Sequence, residues 1–331
     1  MLGDVTGVGP EVCAKVIASG AARDVARVVV VGDSRVLEMG MRDAGVALAY
    51  RVCDEMGDVR WPSGVLQLVD LRNLDPRGIR RGDVSAESGR ACGETLAHMI
   101  GLASAGALDG ICFAPLCKAA LHAGGWKFPD EHQMFAELTG HDGVFGEMNV
   151  LPEFSTFRVT SHVSLRRAID MVTPARIGSV VRLADRTLRA MGHDAPRIAV
   201  AALNPHGGEN GLFGDEEVRI IRPTVEVLQS EGITATGPIP SDTIFLRARR
   251  GEFDGVVMMY HDQGQIATKL LGFNKGVTVT AGLGTVFATP AQGTAFDIVG
   301  KGTADPTGLE HALRLAARLA RGRRVAPPPT C

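Results

Sequence analysis

The chain has 331 residues, 45% of them apolar and 22% charged, with a formal net charge of -2 at pH 7. That is enough apolar sequence for one large or two smaller globular domains, while the near-zero charge offers no broad basic field for nucleic acid. No apolar run approaches the roughly 18 residues of a bilayer span and no signal-like segment opens the chain, so a cytoplasmic protein without membrane or nucleic-acid partners is expected.

In chain order, GDVTGVGPE (residues 3 to 11) is a Gly-rich turn opening a helix, with Pro10 in its first turn. Almost no strand precedes it. A missing first strand is expected, through a start codon assigned too far downstream or a shortened native fold. Apolar, β-branched runs follow at 27–32, 64–70, 109–114, 157–161, 197–203 and 255–260, and they alternate with helical patterns over 86–105, 174–191, 214–231 and 306–321. This alternation predicts an α/β fold with mainly parallel sheets and helices on both faces. Asp215, Glu216 and Glu217 suit the dipole at the start of the third helix. Arg314 to Arg324 read as a solvated helix face, and the closing RVAPPPTC as a disordered tail. Cys13, Cys53, Cys92, Cys112, Cys117 and Cys331 form no C-x-x-C pair, so most are expected to be buried thiols. The Gly- and Pro-containing stretch AGGWKFPDE (123 to 131) and a return near 276 divide the chain into a lobe of residues 1–125 plus 277–331 and a lobe of residues 126–276.

Three histidines share one situation. His162 follows TFRVTS, His206 follows RIAVAALNP, and His261 follows DGVVMMY, so each stands at the C-terminal end of a β-rich segment. In open α/β sheets that edge binds ligands. One such histidine is ordinarily a satisfied polar residue; three converging imidazoles would hold a borderline divalent metal and leave positions open for a hydroxyl and a carbonyl. Asp262 beside His261, and Asn204 and Glu209 around His206, would serve as supporting acceptors. Around His206, NPHGGENGLFGDEE (204 to 217) reads either as an anion-binding loop or as a flexible connection to a capped helix.

Lys118 follows a strand and opens a helix; it is either solvated or a proton-transfer group. Asp242, in GPIPSDTIF, is either an N-cap or a base. Lys269, eight residues after His261, has the reach for an anionic substrate group, and His132 lies where a segment crossing between lobes would meet a ligand. No G-x-G-x-x-G follows an early strand, so NAD would need a different loop.

GDVTGVGPE, FAPLCKAALHAGG, VTSHVSLRRAI, NPHGGENGLFGDEE, GPIPSDTIF, YHDQG and GTAFDIVGKG, in this order, make the sequence resemble the 4-hydroxythreonine-4-phosphate dehydrogenase family nearly end to end. The family belongs to the isocitrate and isopropylmalate dehydrogenase-like fold. The resemblance implies a homodimer of chains with two α/β/α lobes and an active-site cleft between them. The first lobe would carry Lys118 and the NAD loop, the second the metal histidines and dimer contacts. A divalent metal (Zn, Co, Mg or Mn) would be held by His162, His206 and His261, with room for one of them to come from the partner chain. NAD or NADP would lie over 284–297, at Gly284, Gln292, Gly293, Thr294, Ala295 and Asp297. The implied reaction oxidises a secondary alcohol β to a carboxylate and then decarboxylates the 3-oxo acid, with Lys118 or Asp242 shuttling the proton. In pyridoxine biosynthesis the family converts 4-phosphohydroxy-L-threonine to 3-amino-2-oxopropyl phosphate.

Departures from the family pattern fall at the substrate. A His-Thr pair, an Asn and an Arg that contact the phosphorylated substrate are here His132-Gln133, Thr278 and Phe287, and Phe cannot make an Arg contact to phosphate. The family's His-Gly-Thr-Ala run begins with Gln292 instead. Two alternatives follow: a paralogue taking a non-phosphorylated hydroxy acid or a cis-dihydrodiol carboxylate, and a metal- or nucleotide-binding homologue without catalysis.

Overall fold

In the computed structural model, residues 1–21, 23–62, 64–272 and 276–325 are described. The chain divides into two compact units, Met1–Asp142 with Leu283–Ala320, and Gly143–Gly282 with Arg321–Cys331. The first crossing therefore lies beyond the AGGWKFPDE stretch. That stretch is a turn between two helices of the same unit, since the second helix packs Phe135 on Phe113 and Phe287 of its own unit.

The first unit begins with α1 (Gly9–Ala18), β1 (Val29–Gly32), α2 (Ser34–Ala44), β2 (Tyr50–Cys53) and β3 (Leu66–Asp70). It continues with α3 (Ala86–Ser104), β4 (Gly110–Cys112), α4 (Lys118–Ala123) and α5 (Glu131–Leu138). Strands β1, β3 and β2 form a parallel sheet in that order. Ahead of α1, Asp4 N donates to the Pro115 carbonyl at 2.9 Å and Met1 O accepts from Ala114 N at 3.2 Å, so the first residues run beside the exit of β4. Leu2, Val5, Val8, Val12, Leu37 and Leu68 are among the buried residues of this unit's core.

The second unit comprises β5 (Gly146–Val150), β6 (Ser155–Arg158), α6 (Leu165–Asp170), α7 (Pro174–Ala190), β7 (Ile198–Ala201), α8 (Arg222–Ser230) and β8 (Ala235–Ile239). It closes with α9 (Ser241–Arg249), β9 (Gly255–Met258), α10 (His261–Gly272) and β10 (Val277–Ala281). Its strand order is β10-β5-β6-β9-β7-β8. From β6 to β8 the pairs are parallel, and β5 runs antiparallel to both its neighbours. The core includes Phe154, Ala199, Ile239, Ile244, Phe245, Val256 and Met258. The chain then returns to the first unit with β11 (Val286–Pro290), parallel to β4, and α11 (Thr307–Val325) follows.

The expected mainly parallel α/β architecture is what the chain adopts. One helix differs from expectation. Instead of running regularly over 214–231, it opens with a π-helical turn, Glu217–Ile221, before α8. Pro223 has no N–H to donate and its ring crowds the preceding turn, which favours the wider spacing. The closing tail from 326 onward, Cys331 included, lies outside the described residues. Cys13, Cys53, Cys92, Cys112 and Cys117 are free thiols; burial pushes Cys13 up to about 11 and Cys112 up to about 12, which leaves them protonated and unreactive. No helix among the described residues is long and apolar enough to cross a membrane.

Candidate functional site

In the second unit the strand order sets β6, β9, β7 and β8 side by side, and the residues following their C-terminal ends include His162, His261, His206 and Asp242 respectively. Neighbouring strands stand about 4.8 Å apart, so residues far apart in sequence meet on one edge. The His162 and His261 rings lie 5.7 Å apart between centroids, inclined by 43°. His261 opens α10, and its Nδ1 stands 2.6 Å from Asp262 Oδ1. A ring that donates from Nδ1 to that carboxylate leaves the lone pair of Nε2 free to accept from, or ligate, a bound group.

The backbone is strained at two of the three histidines. His162 has φ 49° and His206 φ 54°, both left-handed, at a cost of about 1–2 kcal/mol for a non-glycine residue. From His206 to Asn210 the φ values are 54°, 69°, 76°, 45° and 55°, which amounts to a left-handed turn. Glycines 207 and 208 occupy two of these positions without steric cost. The turn is anchored by Glu217, which is fully buried. Its Oε1 accepts from Leu203 N and Asn204 N, both at 2.7 Å, and its Oε2 accepts from Asn204 Nδ2 at 2.9 Å. A Cβ on Gly208 would stand 2.6 Å from Glu217 Oε2, so the turn and the carboxylate are fitted to each other.

Glu217 is thus an anchor more than a dipole partner, and sequence reasoning missed that role. Asn204, expected to support the His206 ring, spends its amide on Glu216 and Glu217. Glu217→Ala leaves two backbone N–H groups without acceptors, and a loss of about 2–4 kcal/mol is expected in urea denaturation of the full chain. An unchanged midpoint would show that the anchor is dispensable.

Two imidazoles, one steered by a carboxylate, fit a borderline divalent ion. Among the described residues, however, no group of three or more His, Cys, Asp or Glu gathers closely enough to hold one. The His206 ring lies beside Phe213, 6.3 Å between centroids. Asp242 is exposed in the first turn of α9, whose N-cap is Pro240, so Asp242 is not the cap that its position suggested. Lys269 is exposed on α10, about 12 Å along the axis from His261. Thr278 Oγ1 in β10 accepts from Asn149 Nδ2 at 3.1 Å.

In the first unit, Lys118 is the first residue of α4, and its Nζ lies 3.2 Å from Glu131 Oε2, an ion-pair distance without hydrogen-bond alignment. One residue on, His132 is buried edge-on to Phe135, 6.4 Å between centroids, while Gln133 is exposed with its N–H bonded to Asp130. Phe287 in β11 is 1% exposed and stacks on Phe135 at 4.2 Å and 9°. It is a core residue.

The expected nucleotide loop packs on the N-terminal turn: Val8 N donates to the Thr294 carbonyl at 3.0 Å, and a Cβ on Gly7 would meet Thr294 at 2.8 Å. Gln292 Nε2 donates to the Asp305 carbonyl, Ala295 is held left-handed at φ 44°, and Asp297 is exposed. Gly284 and Gly293 are exposed, with open space where a Cβ would stand, which suits close approach of a planar ligand to the backbone.

The family described as "Pyridoxal phosphate biosynthetic protein PdxA" matches residues 24–316. The chain is similar to the D-threonate 4-phosphate dehydrogenase of Cupriavidus necator, 44% identical over 324 residues that cover 97% of this chain and 96% of the relative. It is similar in structure to the 4-hydroxythreonine-4-phosphate dehydrogenase of Klebsiella pneumoniae, with a TM-score of 0.83, 39% identity and coverage of 96% and 98%. A terephthalate 1,2-cis-dihydrodiol dehydrogenase from Burkholderia xenovorans aligns with a TM-score of 0.65, 28% identity and 96% of both chains.

Proposed function

Since the chain belongs to the PdxA family, we propose that it is an NAD- and divalent-metal-dependent dehydrogenase that oxidises the secondary alcohol of a β-hydroxy acid and promotes loss of its carboxylate. The observation that carries this reading is the His162–His261 pair, steered by Asp262, on an edge where four parallel strands end. His162 and His261 would hold the metal, with a His206 completing the set from a second copy of the chain in a homodimer. When bound, the ion supplies Lewis acidity for ionising the alcohol and for stabilising charge as carbon dioxide leaves. Asp262 fixes the His261 tautomer, and Lys118 or Asp242 exchanges the alcohol proton. Lys269 attracts an anionic substrate group, with His132, Gln133 and Thr278 as further substrate positions. Gly284 and the 292–297 loop would take the dinucleotide, NAD or NADP.

The relatives' names point to four-carbon acids phosphorylated at C4, which makes 4-phosphohydroxy-L-threonine and D-threonate 4-phosphate the first substrates to test. A second reading is favoured by Phe287, which occupies the place of a phosphate-binding Arg and is committed to an aromatic stack. In it the substrate carries no phosphate, as a hydroxy acid or a cis-dihydrodiol carboxylate. NAD reduction with phosphorylated and unphosphorylated acids side by side separates the two. In either case, chelation of divalent metal is expected to abolish reduction and its return to restore it. Full turnover by metal-free protein would overturn the metal assignment, and no turnover by metal-loaded protein with any of these acids would favour a non-catalytic homologue.

A further inference from the structure

The antiparallel strands of the second unit have two faces of opposite character. Val277 and Val279 of β10, Met148 and Val150 of β5 and Phe157 of β6 alternate with Thr278 and Thr280, Glu147 and Asn149, and Thr156 and Arg158. A sheet face lined by six polar side chains would ordinarily face water. Here Asn149, Thr156, Arg158 and Thr280 are all buried. Two of them, Thr156 and Arg158, carry side-chain atoms left without a hydrogen bond among the described residues. Arg158, its side chain 1% exposed, donates from Nη2 to Glu147 Oε1 at 2.5 Å and to Asn149 Oδ1 at 2.8 Å, yet among the described residues its Nε and Nη1 have no hydrogen-bond partner, and neither has Thr156 Oγ1. Buried donors without acceptors are rare because each forfeits its hydration, and a guanidinium forfeits more than a neutral group. Donors gathered in one place point to an acceptor that belongs there.

The network leads to Thr278, one of the substrate positions proposed above. Asn149 links Arg158 to Thr278 through its two amide atoms, and Arg158 is the last residue of β6, four residues before His162 in the chain. We propose that Arg158, Thr156 and Asn149 form a subsite for a carboxylate at the substrate's distal end, so that the substrate is a hydroxy dicarboxylate and not a phosphate ester. This rests on the dehydrogenase reading above. Glu147 decides between the two anions. Paired with Arg158, it leaves the cluster electrically neutral, so a carboxylate adds one buried negative charge whereas a phosphate monoester adds nearly two beside an existing carboxylate. The free guanidinium nitrogens and the threonine hydroxyl supply the donors that a carboxylate accepts from.

The test is a matched four-carbon series binding to the full chain with divalent metal, measured by calorimetry: D-threonate 4-phosphate, D-threonate, and the tartrate of the same configuration, which has a carboxylate at C4. Tartrate is expected to bind roughly ten-fold or more tightly than either of the others. In the charge-balanced variant Arg158→Met with Glu147→Gln, that preference is expected to fall below about two-fold. Tighter binding of the phosphate ester, undetectable binding of tartrate, or an undiminished preference in the variant overturns the subsite. Should the double variant fail to fold, Glu147→Gln alone is expected to tighten D-threonate 4-phosphate binding, and no change there also overturns it. NAD reduction keeps the two proposals apart. Turnover of the phosphate ester alone leaves the dehydrogenase standing and removes the subsite. Carboxylate preference without any NAD reduction does the reverse.

Discussion

His261→Ala protein is expected to fold normally, to purify without stoichiometric metal, and to turn over about 10³-fold more slowly than the parent. The fold should survive because the His261 side chain is 35% exposed at the first residue of α10 and contributes little to the core. The rate should not survive, because removing one of two imidazoles 5.7 Å apart would deprive the proposed divalent ion of a nitrogen donor. Asp262→Asn provides the graded counterpart. It keeps the ring but weakens the acceptor that fixes its tautomer, and metal affinity is expected to fall about 10–100-fold. Metal analysis, circular dichroism and kcat/KM on the same preparations check all three statements. A His261→Ala protein with full metal content and the parent's rate would remove His261 from the site.

Gly89→Ala is expected to destabilise the first unit by about 2–3 kcal/mol and to lower its melting temperature by roughly 5–10 °C. Gly89 lies in α3, and a Cβ there would stand 1.7 Å from the carbonyl oxygen of Ala120 and 2.6 Å from the amide of Leu121, both in the backbone of α4. Backbone cannot rotate aside as a side-chain end can, so the two helices must separate by roughly 1.5–2 Å to reach normal van der Waals distance. The outcome is opposed by helix propensity, since alanine is worth up to about 1 kcal/mol over glycine inside a helix. Gly101→Ala in the same helix isolates that term, because nothing lies within 4 Å of its Cβ position. It is expected to be neutral or mildly stabilising. Equal melting temperatures for the two variants would show that the close approach of α3 and α4 relaxes freely. Lys118 opens α4, so a separation of these helices should also move that lysine and, if it exchanges the proton as proposed, reduce turnover beyond the loss of folded protein.

Much of this was legible in the sequence because it is local. The β-branched runs became β1, β3, β4, β6, β7 and β9 within a few residues of their expected bounds, since alternation of apolar strand and amphipathic helix is a property of neighbouring residues. The same holds for the three histidines, whose place just beyond a strand can be counted along the chain. Local patterns failed where backbone and side chain answered to something distant. The 214–231 helix opened as a π turn, Asp242 followed a proline cap, and the first crossing between units passed beyond a turn whose two helices share a unit.

By itself, then, the sequence determined the α/β class, the alternation of six of the strands with the longer helices, and which residues stand at those strand ends, because periodicity and turn chemistry act over a few residues. Only the tertiary structure decided that β6, β9, β7 and β8 are neighbours, so that His162 meets His261. It alone turned Glu217 from a helix-dipole carboxylate into the anchor of a left-handed turn, and placed Phe287 in a stack with Phe135. It alone set Arg158 between Glu147 and Asn149 with two nitrogens lacking a hydrogen-bond partner among the described residues. Strand order and burial depend on how the whole chain closes its core, and one-dimensional spacing carries no record of which distant surface a side chain will meet.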